Sequence, residues 1–453
     1  MTELLQKFLQ KSVIEMKEAV IQFGEGNFLR GFFDWFLDGL NKKGLFDGKA
    51  VIIQPRAGGK TAPLNQQACK YNLYLRGIEN GQIKEEHTLI ESVSRGVDPY
   101  KNYQEYIDLA ENPDFRFIVS NTTEAGIEFD ESCKFQDKPC KSFPGKLTQL
   151  LYARYKNGLK GFIVLPCELI DNNGNELKKC VLKYAELWRL EAEFSKWINE
   201  ENTFANTLVD RIVTGYPTDE TAKLHPDDKF LDTGEIFHLW VIEGDFENEL
   251  PLKKAGYNVV WTNDVTPYKK IKVRILNGAH TSMVAGALLS GVETVGECMA
   301  DEAVSAFLNK AMNEEILKTI GDNEESRAFA EAVFDRFRNP FIKHQLRSIA
   351  LNSVSKFSVR VLPTILEYKE QNGVYPEVLS MSLAYLIYFY KNNTPNDAED
   401  VIEFMKNKSI DEILCSTKLW GADICDMAEI VKHSYEKIEN LGAKGAMEWT
   451  LSE

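Results

Sequence analysis

Short apolar runs alternate with amphipathic stretches through the first half of the chain, and that alternation stops near residue 265. Ala19 to Phe23 reads as a buried strand that enters a glycine turn, followed by a helical stretch from Phe28 to Asn41. Ala50 to Gln54, Phe115 to Ser120 and Gly161 to Leu165 are further strand-like runs, separated by helical segments such as Tyr100 to Glu111 and Pro144 to Lys156. Strands alternating with helices predict a parallel, doubly wound sheet. One antiparallel excursion interrupts it, because Tyr71 to Leu75 and Gln82 to Lys84 flank Asn80-Gly81, a hairpin turn signal.

Asn258 to Thr262 is the last strand-like run. Thr266-Pro267 then opens a helix, with Thr as N-cap and Pro at the first helical position. Beyond it, apolar residues recur at helical spacing, as in Ala303 to Thr319, Ser326 to Phe337, Tyr375 to Tyr390 and Ile424 to Leu441. The pattern predicts an α/β domain over 1–265 and an all-α domain over 266–453. With no low-complexity linker between them, a broad shared interface is expected, and dinucleotide enzymes often place their active sites in such a cleft.

Composition narrows the function. A chain of 453 residues is too long for one ordinary core, and its 44% hydrophobic and 27% charged residues are those of a soluble globular protein. Apolar runs such as Gly161 to Cys167 are too short to span a bilayer. Met1 to Lys11 lacks the layout of a secretory signal and alternates as a short surface helix would. A net charge of -15 argues against a nucleic-acid partner, which needs a concentrated basic face. The eight cysteines form no C-x-x-C pair and are expected as free thiols in a reducing, cytoplasmic compartment. The six histidines are scattered, so no zinc site is expected.

Two segments carry chemistry. The first strand runs into Phe23-Gly24-Glu25-Gly26-Asn27-Phe28-Leu29-Arg30-Gly31. Its first glycine permits a tight strand-to-helix turn, and its second lets the backbone approach a pyrophosphate lying on the next helix's N–H groups. Leu29 stands where a third glycine is usual, so the turn alone is a weak signal. After the second strand comes Gln54-Pro55-Arg56, which does not decide between NAD and NADP.

The second segment is Thr266 to Ser282. On a regular helix Lys272, His280 and Asn277 lie at roughly 0°, 80° and 140°, so all three can face one cleft. Carbonyl reduction needs a proton donor for the developing alkoxide and neutral donors to hold it. A desolvated Lys272 suits the general acid and base, Asn277 the oxyanion donor, and His280 the orienting of a substrate hydroxyl.

These residues resemble the polyol-specific long-chain dehydrogenases, the family that includes mannitol dehydrogenase. Lys272, Asn277 and His280 match its Lys-x4-Asn-x2-His signature, and Gly24, Gly26, Phe28 and Arg30 match its G-x-G-x-F-x-R turn. Thr123-Glu124-Ala125-Gly126, Val209-Asp210-Arg211 and Ser355-Lys356-Phe357 follow in the family's order. The resemblance implies a Rossmann-like domain binding NAD, a helical domain carrying substrate and catalysis, and hydride transfer without a catalytic metal. It places the cofactor on Phe23, Gly24, Gly26, Asn27, Phe28 and Arg30, with Glu124 facing the nicotinamide ribose or the substrate. Several segments, among them Pro166 to Asp171 and Arg338 to Leu351, are most similar to a branch that reduces ketouronates in hexuronate catabolism.

Two departures from the mannitol branch fit a changed substrate. Leu169 replaces an oxyanion-holding Asn, leaving Asn172 or Asn173 as substitutes, and Ser348 replaces a substrate-contacting Arg beside Arg347. A uronate carboxylate would need a cation, with Lys356, Arg211 and Arg360 as candidates beside Asp210 and His344. The expected partner is a small sugar acid, with no nucleic acid or membrane, in a monomer or dimer. Sibling specificities for another ketouronate or for mannitol remain open here, as does a nicotinamide-binding sensor without turnover.

Overall fold

The computed structural model describes residues 16–123 and 125–453, so the helix expected over Met1 to Lys11 and the role expected of Glu124 lie outside the described residues. Eight strands occupy the first part of the chain: β1 (Glu18–Phe23), β2 (Lys49–Ile53), β3 (Tyr71–Glu79), β4 (Gln82–Ile90), β5 (Val93–Val97), β6 (Phe117–Ser120), β7 (Ile163–Pro166) and β8 (Thr203–Phe204). Six of them form one sheet in the order β5-β2-β1-β6-β7-β8, with every pair parallel. That is the strand order of a Rossmann-like fold, and its direction of winding reverses between β1 and β6. Helices cover both faces, which explains why the central strands read as unbroken apolar runs. Ala19 and Val20 enter a core with Phe32, Phe33 and Trp240, whereas Ile21 and Phe23 enter the opposite one with Tyr106, Leu147 and Leu150.

Five shorter strands follow: β9 (Thr207–Asp210), β10 (Val213–Gly215), β11 (Asp232–Glu235), β12 (Leu239–Glu243) and β13 (Val259–Thr262). They complete a four-stranded sheet, β10-β11-β3-β4, and a three-stranded one, β13-β12-β9. The expected hairpin is present, with Asn80 at φ 53° and Gly81 at φ 72°. Positive φ at two successive turn residues matches the right-handed twist of the flanking strands. Among the described residues, one compact unit comprises 16–76 with 85–265, and a second comprises Gly77–Lys84 with Thr266–Glu453.

The helix expected over Phe28 to Asn41 is two helices, Asn27–Gly31 and Phe33–Lys42, broken at Phe32. The Gly31 carbonyl accepts from Arg211 Nη1 at 2.8 Å, and a Cβ on Gly31 would lie 2.9 Å from Val213. A side chain inserted at a helix carbonyl is a recognised cause of a sharp kink.

In the second unit the helix Gly278–Leu289 is buried from Gly278 through Ala287, the signature of a central core helix. Helices Glu324–Phe337, Glu377–Asn392 and Ala428–Ser452 follow the apolar spacing read from the sequence. Ala303 to Thr319 is interrupted by a π-helical stretch, Ala311–Ile316.

The cysteine expectation needs correction. Cys415 and Cys425 form a disulfide with Cα atoms 4.6 Å apart, and the other six cysteines are free and buried. The short helix Ile410–Leu414 ends at Cys415, and the chain turns back to start a 3-10 turn at Cys425, closing a loop the spacing did not announce. The same two sulfurs and Asp423 lie within 4.8 Å of one another, so a cluster with ligand spacing exists where none was expected. Bonded to each other, those sulfurs are not thiolate ligands. No helix among the described residues is long and apolar enough to cross a membrane.

Candidate functional site

In the first unit the winding reversal between β1 and β6 opens a cavity of about 550 Å³ at the carboxyl ends of the strands. Gly24, Gly26, Asn27, Arg30, Asn121 and Thr122 line it, together with Arg56, Lys60 and Lys141. Gly24 has φ +124°, and a Cβ there would lie 2.8 Å from the Asn121 carbonyl. Only glycine meets both conditions without strain. A Cβ on Gly26 would meet nothing within 4 Å, so the backbone there stands open to the cavity. Such a cradle, with cations in its wall, fits a dinucleotide pyrophosphate.

The remaining turn residues divide. Phe23 is wholly buried with its ring 4.9 Å from Phe143, so its expected place against the cofactor is corrected to a core position. Phe28 is absent from the cavity wall and stacks on Phe32 at 4.9 Å. Arg30 is buried beneath the turn, donating to the Glu25 carbonyl and to Asn27 Oδ1, both at 2.9 Å. It therefore braces the turn while forming part of the cavity wall.

Sequence reading missed Glu168. This buried carboxylate accepts from Thr122 N–H at 3.0 Å, Thr122 Oγ1 at 2.9 Å and Ser120 Oγ at 3.0 Å, fixing the loop on the far side of the cavity. Burial raises its pKa, against the lowering effect of those donors. Its neighbour Leu169, at the position where the mannitol branch carries Asn, is exposed. Neither proposed replacement is straightforward. The Asn173 amide donates to the Pro166, Glu168 and Thr207 carbonyls and is fully engaged, while Asn172 is exposed in a left-handed conformation.

Arg211 is also reassigned. Its guanidinium donates to the carbonyls of Gly31, Ile236 and Phe237 and lies 4.1 Å from the Trp35 ring centre, so it braces the fold. Asp210 is buried at the end of β9. His238, read as structural, accepts from Asn258 N–H at one ring nitrogen and meets the Ile236 carbonyl at the other.

In the second unit Lys272 ends the helix Thr266–Lys272, Asn277 closes a π-helical turn over Val273–Asn277, and His280 lies in the core helix. The π turn changes the expected geometry. Its hydrogen bonds span five residues, so positions five apart lie nearer to one face than the roughly 140° separation of a regular helix would put them. Lys272 and Asn277 are such a pair. Inserted π turns occur often at functional sites.

His280 is buried, its ring stacks on Phe337 at 4.2 Å and sits 5.2 Å from His344, and its Nε2 has no hydrogen-bond partner. Burial, with His344 and Arg336 adding to it, holds its pKa well below the ordinary value, so the ring is neutral. Lys356 donates from Nζ to the Ile349 carbonyl at 2.9 Å, which compromises it as a substrate cation. Arg347 and Ser348 line a cavity of about 440 Å³ with Leu351, Phe389 and Asn393, and neither Lys272, Asn277 nor His280 borders it.

The parallel sheet, the glycine turn and the helical second unit define a Rossmann-fold dehydrogenase with an all-α C-terminal domain. Residues 18–254 match the Mannitol dehydrogenase Rossmann domain and residues 264–442 the Mannitol dehydrogenase C-terminal domain. The chain belongs to the mannitol dehydrogenase family. It is 44% identical to the altronate oxidoreductase of Bacillus subtilis (strain 168), with 98% of this chain and 97% of that one covered. Among solved structures it resembles a substrate-free D-sorbitol dehydrogenase, at TM-score 0.84 and 23% identity over 95% of both chains. It also resembles the Pseudomonas fluorescens mannitol 2-dehydrogenase ternary complex with NAD and D-mannitol, at TM-score 0.72 and 24% identity over 98% of this chain and 96% of that one.

Proposed function

We propose that the chain is a tagaturonate reductase, or altronate oxidoreductase, moving a hydride reversibly between D-altronate with NAD and D-tagaturonate with NADH. The near full-length 44% identity to the Bacillus subtilis altronate oxidoreductase carries this reading. The glycine cradle of the first unit holds the dinucleotide, through Gly24, Gly26 and Asn27. When bound, the nicotinamide supplies the hydride for reduction and takes it back in oxidation.

Lys272 gives its proton to the new alcohol oxygen in reduction and removes that proton in oxidation. Asn277, one π turn away, donates from its amide to the same oxygen and holds the developing charge. The neutral His280 ring offers its unpartnered Nε2 to a substrate hydroxyl without adding a charge of its own. NAD is the assigned dinucleotide, although Arg56 and Lys60 on the cavity wall make NADPH the necessary comparison.

Initial rates with tagaturonate, fructuronate and fructose, each with NADH and NADPH, test the reading. Tagaturonate with NADH should give the highest kcat/KM. Lys272→Ala should lose about 100- to 10,000-fold in turnover while still binding NADH. Near-normal turnover in that variant would refute the assigned chemistry, and a preference for fructuronate or fructose would reassign the substrate.

A further inference from the structure

Resting on the sugar-acid reading above, we propose that Arg360 is the residue that grips the substrate's carboxylate, and so separates an acidic substrate from a neutral polyol. The helix Ser353–Arg360 runs against the catalytic segment, and its last carbonyl comes so close that a Cβ on Gly278 would lie 3.2 Å from it. Gly278 stands between Asn277 and Ala279, and its lack of a side chain brings the Arg360 backbone beside the residues assigned to the reaction, close enough for the arginine's charge to act on His280.

Most arginines of comparable burial have an acceptor of their own. Arg274 donates to Thr364 and Glu367, Arg76 to Asp219, Arg95 to Glu18 and Glu105, and Arg116 to Glu249. Arg154 and Arg211 are held by backbone carbonyls. Arg360 is half-buried with no hydrogen bond or ion pair to another described residue. Desolvation alone lowers its pKa, with no nearby acid to offset the effect. A guanidinium withdrawn from water without a counter-ion is unfavourable until an anion arrives, and its planar fork matches a carboxylate. A helix C-terminus would account for a cation there, but not for a half-buried one lacking an acceptor.

Its neighbours suit an acid. His280, whose Nε2 has no partner, feels the fields of both Arg360 and His344. Lys356, one turn earlier on the same helix, is tied to the Ile349 carbonyl, which leaves the bidentate role to Arg360.

The test compares a ketouronate with its methyl ester in the wild type, Arg360→Gln and Arg360→Lys, with NADH affinity as a control. The wild type should favour the free acid by about 10- to 100-fold in kcat/KM. In Arg360→Gln that preference should vanish through a higher KM for the acid, with ester kinetics and NADH affinity unchanged. Arg360→Lys, which keeps the charge and loses the fork, should fall between, and it decides the matter should the Gln variant fail to fold. An acid-to-ester ratio left at the wild-type value in the folded variants overturns the assignment of Arg360 while the function stands. A wild type inactive on every ketouronate overturns the function itself, and this inference with it.

Discussion

The guanidinium of Arg30 and the carboxylate of Asp232, 202 residues apart, meet at 3.3 Å beneath the glycine turn. Arg30 also lies over the rings of Tyr71 and Phe230, at 5.5 and 5.2 Å from their centres. Through it β11 is tied to the Glu25 carbonyl and the Asn27 side chain, two points of the turn that lines the cavity. Burial pushes the carboxyls of Asp232 and neighbouring Asp34 up to about 7, and Arg30 opposes that rise in both.

Asp232→Asn leaves a buried guanidinium short of its nearest counter-charge. Breaking a buried pair from one side costs about 3 kcal/mol or more. The variant should lose about that much stability in urea titrations, and its KM for the dinucleotide should rise about tenfold with kcat little changed. Unaltered stability and cofactor affinity would show that Asp34 alone balances Arg30.

Much of this architecture was legible because local rules agreed with the global fold. The strand-turn run at Phe23 to Gly26, the Asn80-Gly81 hairpin and the apolar spacing after Thr266 each reflect a short-range constraint, namely burial on both faces, positive φ or helical repeat. What escaped depended on distant partners. The break at Phe32 follows from Arg211 reaching the Gly31 carbonyl, a contact no local pattern encodes. Asp232 and Glu168 looked like ordinary acids until the fold placed them under the two sides of the cavity. The π turn escaped because one inserted residue leaves the apolar spacing nearly intact while rotating Asn277 towards Lys272. Arg211 looked as eligible a carboxylate ligand as Arg360, and only their acceptors separate them.

Gly39 marks a contact of another kind, where a Cβ would stand 1.7 Å from Tyr257 Oη. Replacing a helical glycine by alanine normally favours the helix by up to about 1 kcal/mol. Here Gly39→Ala should instead destabilise by about 1–3 kcal/mol through overpacking. Adding Tyr257→Phe removes the hydroxyl and leaves the ring carbon at 3.1 Å as the nearest atom. The double variant should therefore regain most of the loss in thermal unfolding, and a double variant as unstable as the single one would contradict the clash.

Glu315 caps a helix from a distance. Pro376 precedes the helix Glu377–Asn392 and has no side-chain acceptor, so the buried Glu315 carboxylate accepts from Val378 N–H at 2.8 Å and Leu379 N–H at 2.9 Å. Burial nevertheless raises its pKa from 4.5 to about 7, outweighing the lowering by the two N–H groups. A carboxyl bound more tightly to its proton in the folded state contributes most below about pH 4.5, and that contribution is lost as the pH rises through about 7. Relative to Glu315→Gln, which cannot titrate, the wild type should be more stable near pH 5 than near pH 8, by on the order of a few kcal/mol. A stability difference that stays flat between those pH values would place the titration elsewhere.

The Cys415–Cys425 bond closes a loop of sequence separation 10, and loop-closure entropy at that length corresponds to about 2–3 kcal/mol. Reductant should lower wild-type stability by about that amount and leave a Cys415→Ser, Cys425→Ser double variant unaffected. The remaining thiols respond differently, because all six are buried, and burial pushes those of Cys69, Cys140, Cys167 and Cys298 upward, away from the reactive thiolate. Native protein should thus show no fast-reacting thiol before reduction and two afterwards, at Cys415 and Cys425. Two fast thiols without any reductant would mean the pair stands open in solution, where Asp423 and the two sulfurs would form a ligand set for a soft metal ion. A zinc titration of the unreduced protein would then separate the two states directly, since only the open pair would take up the ion.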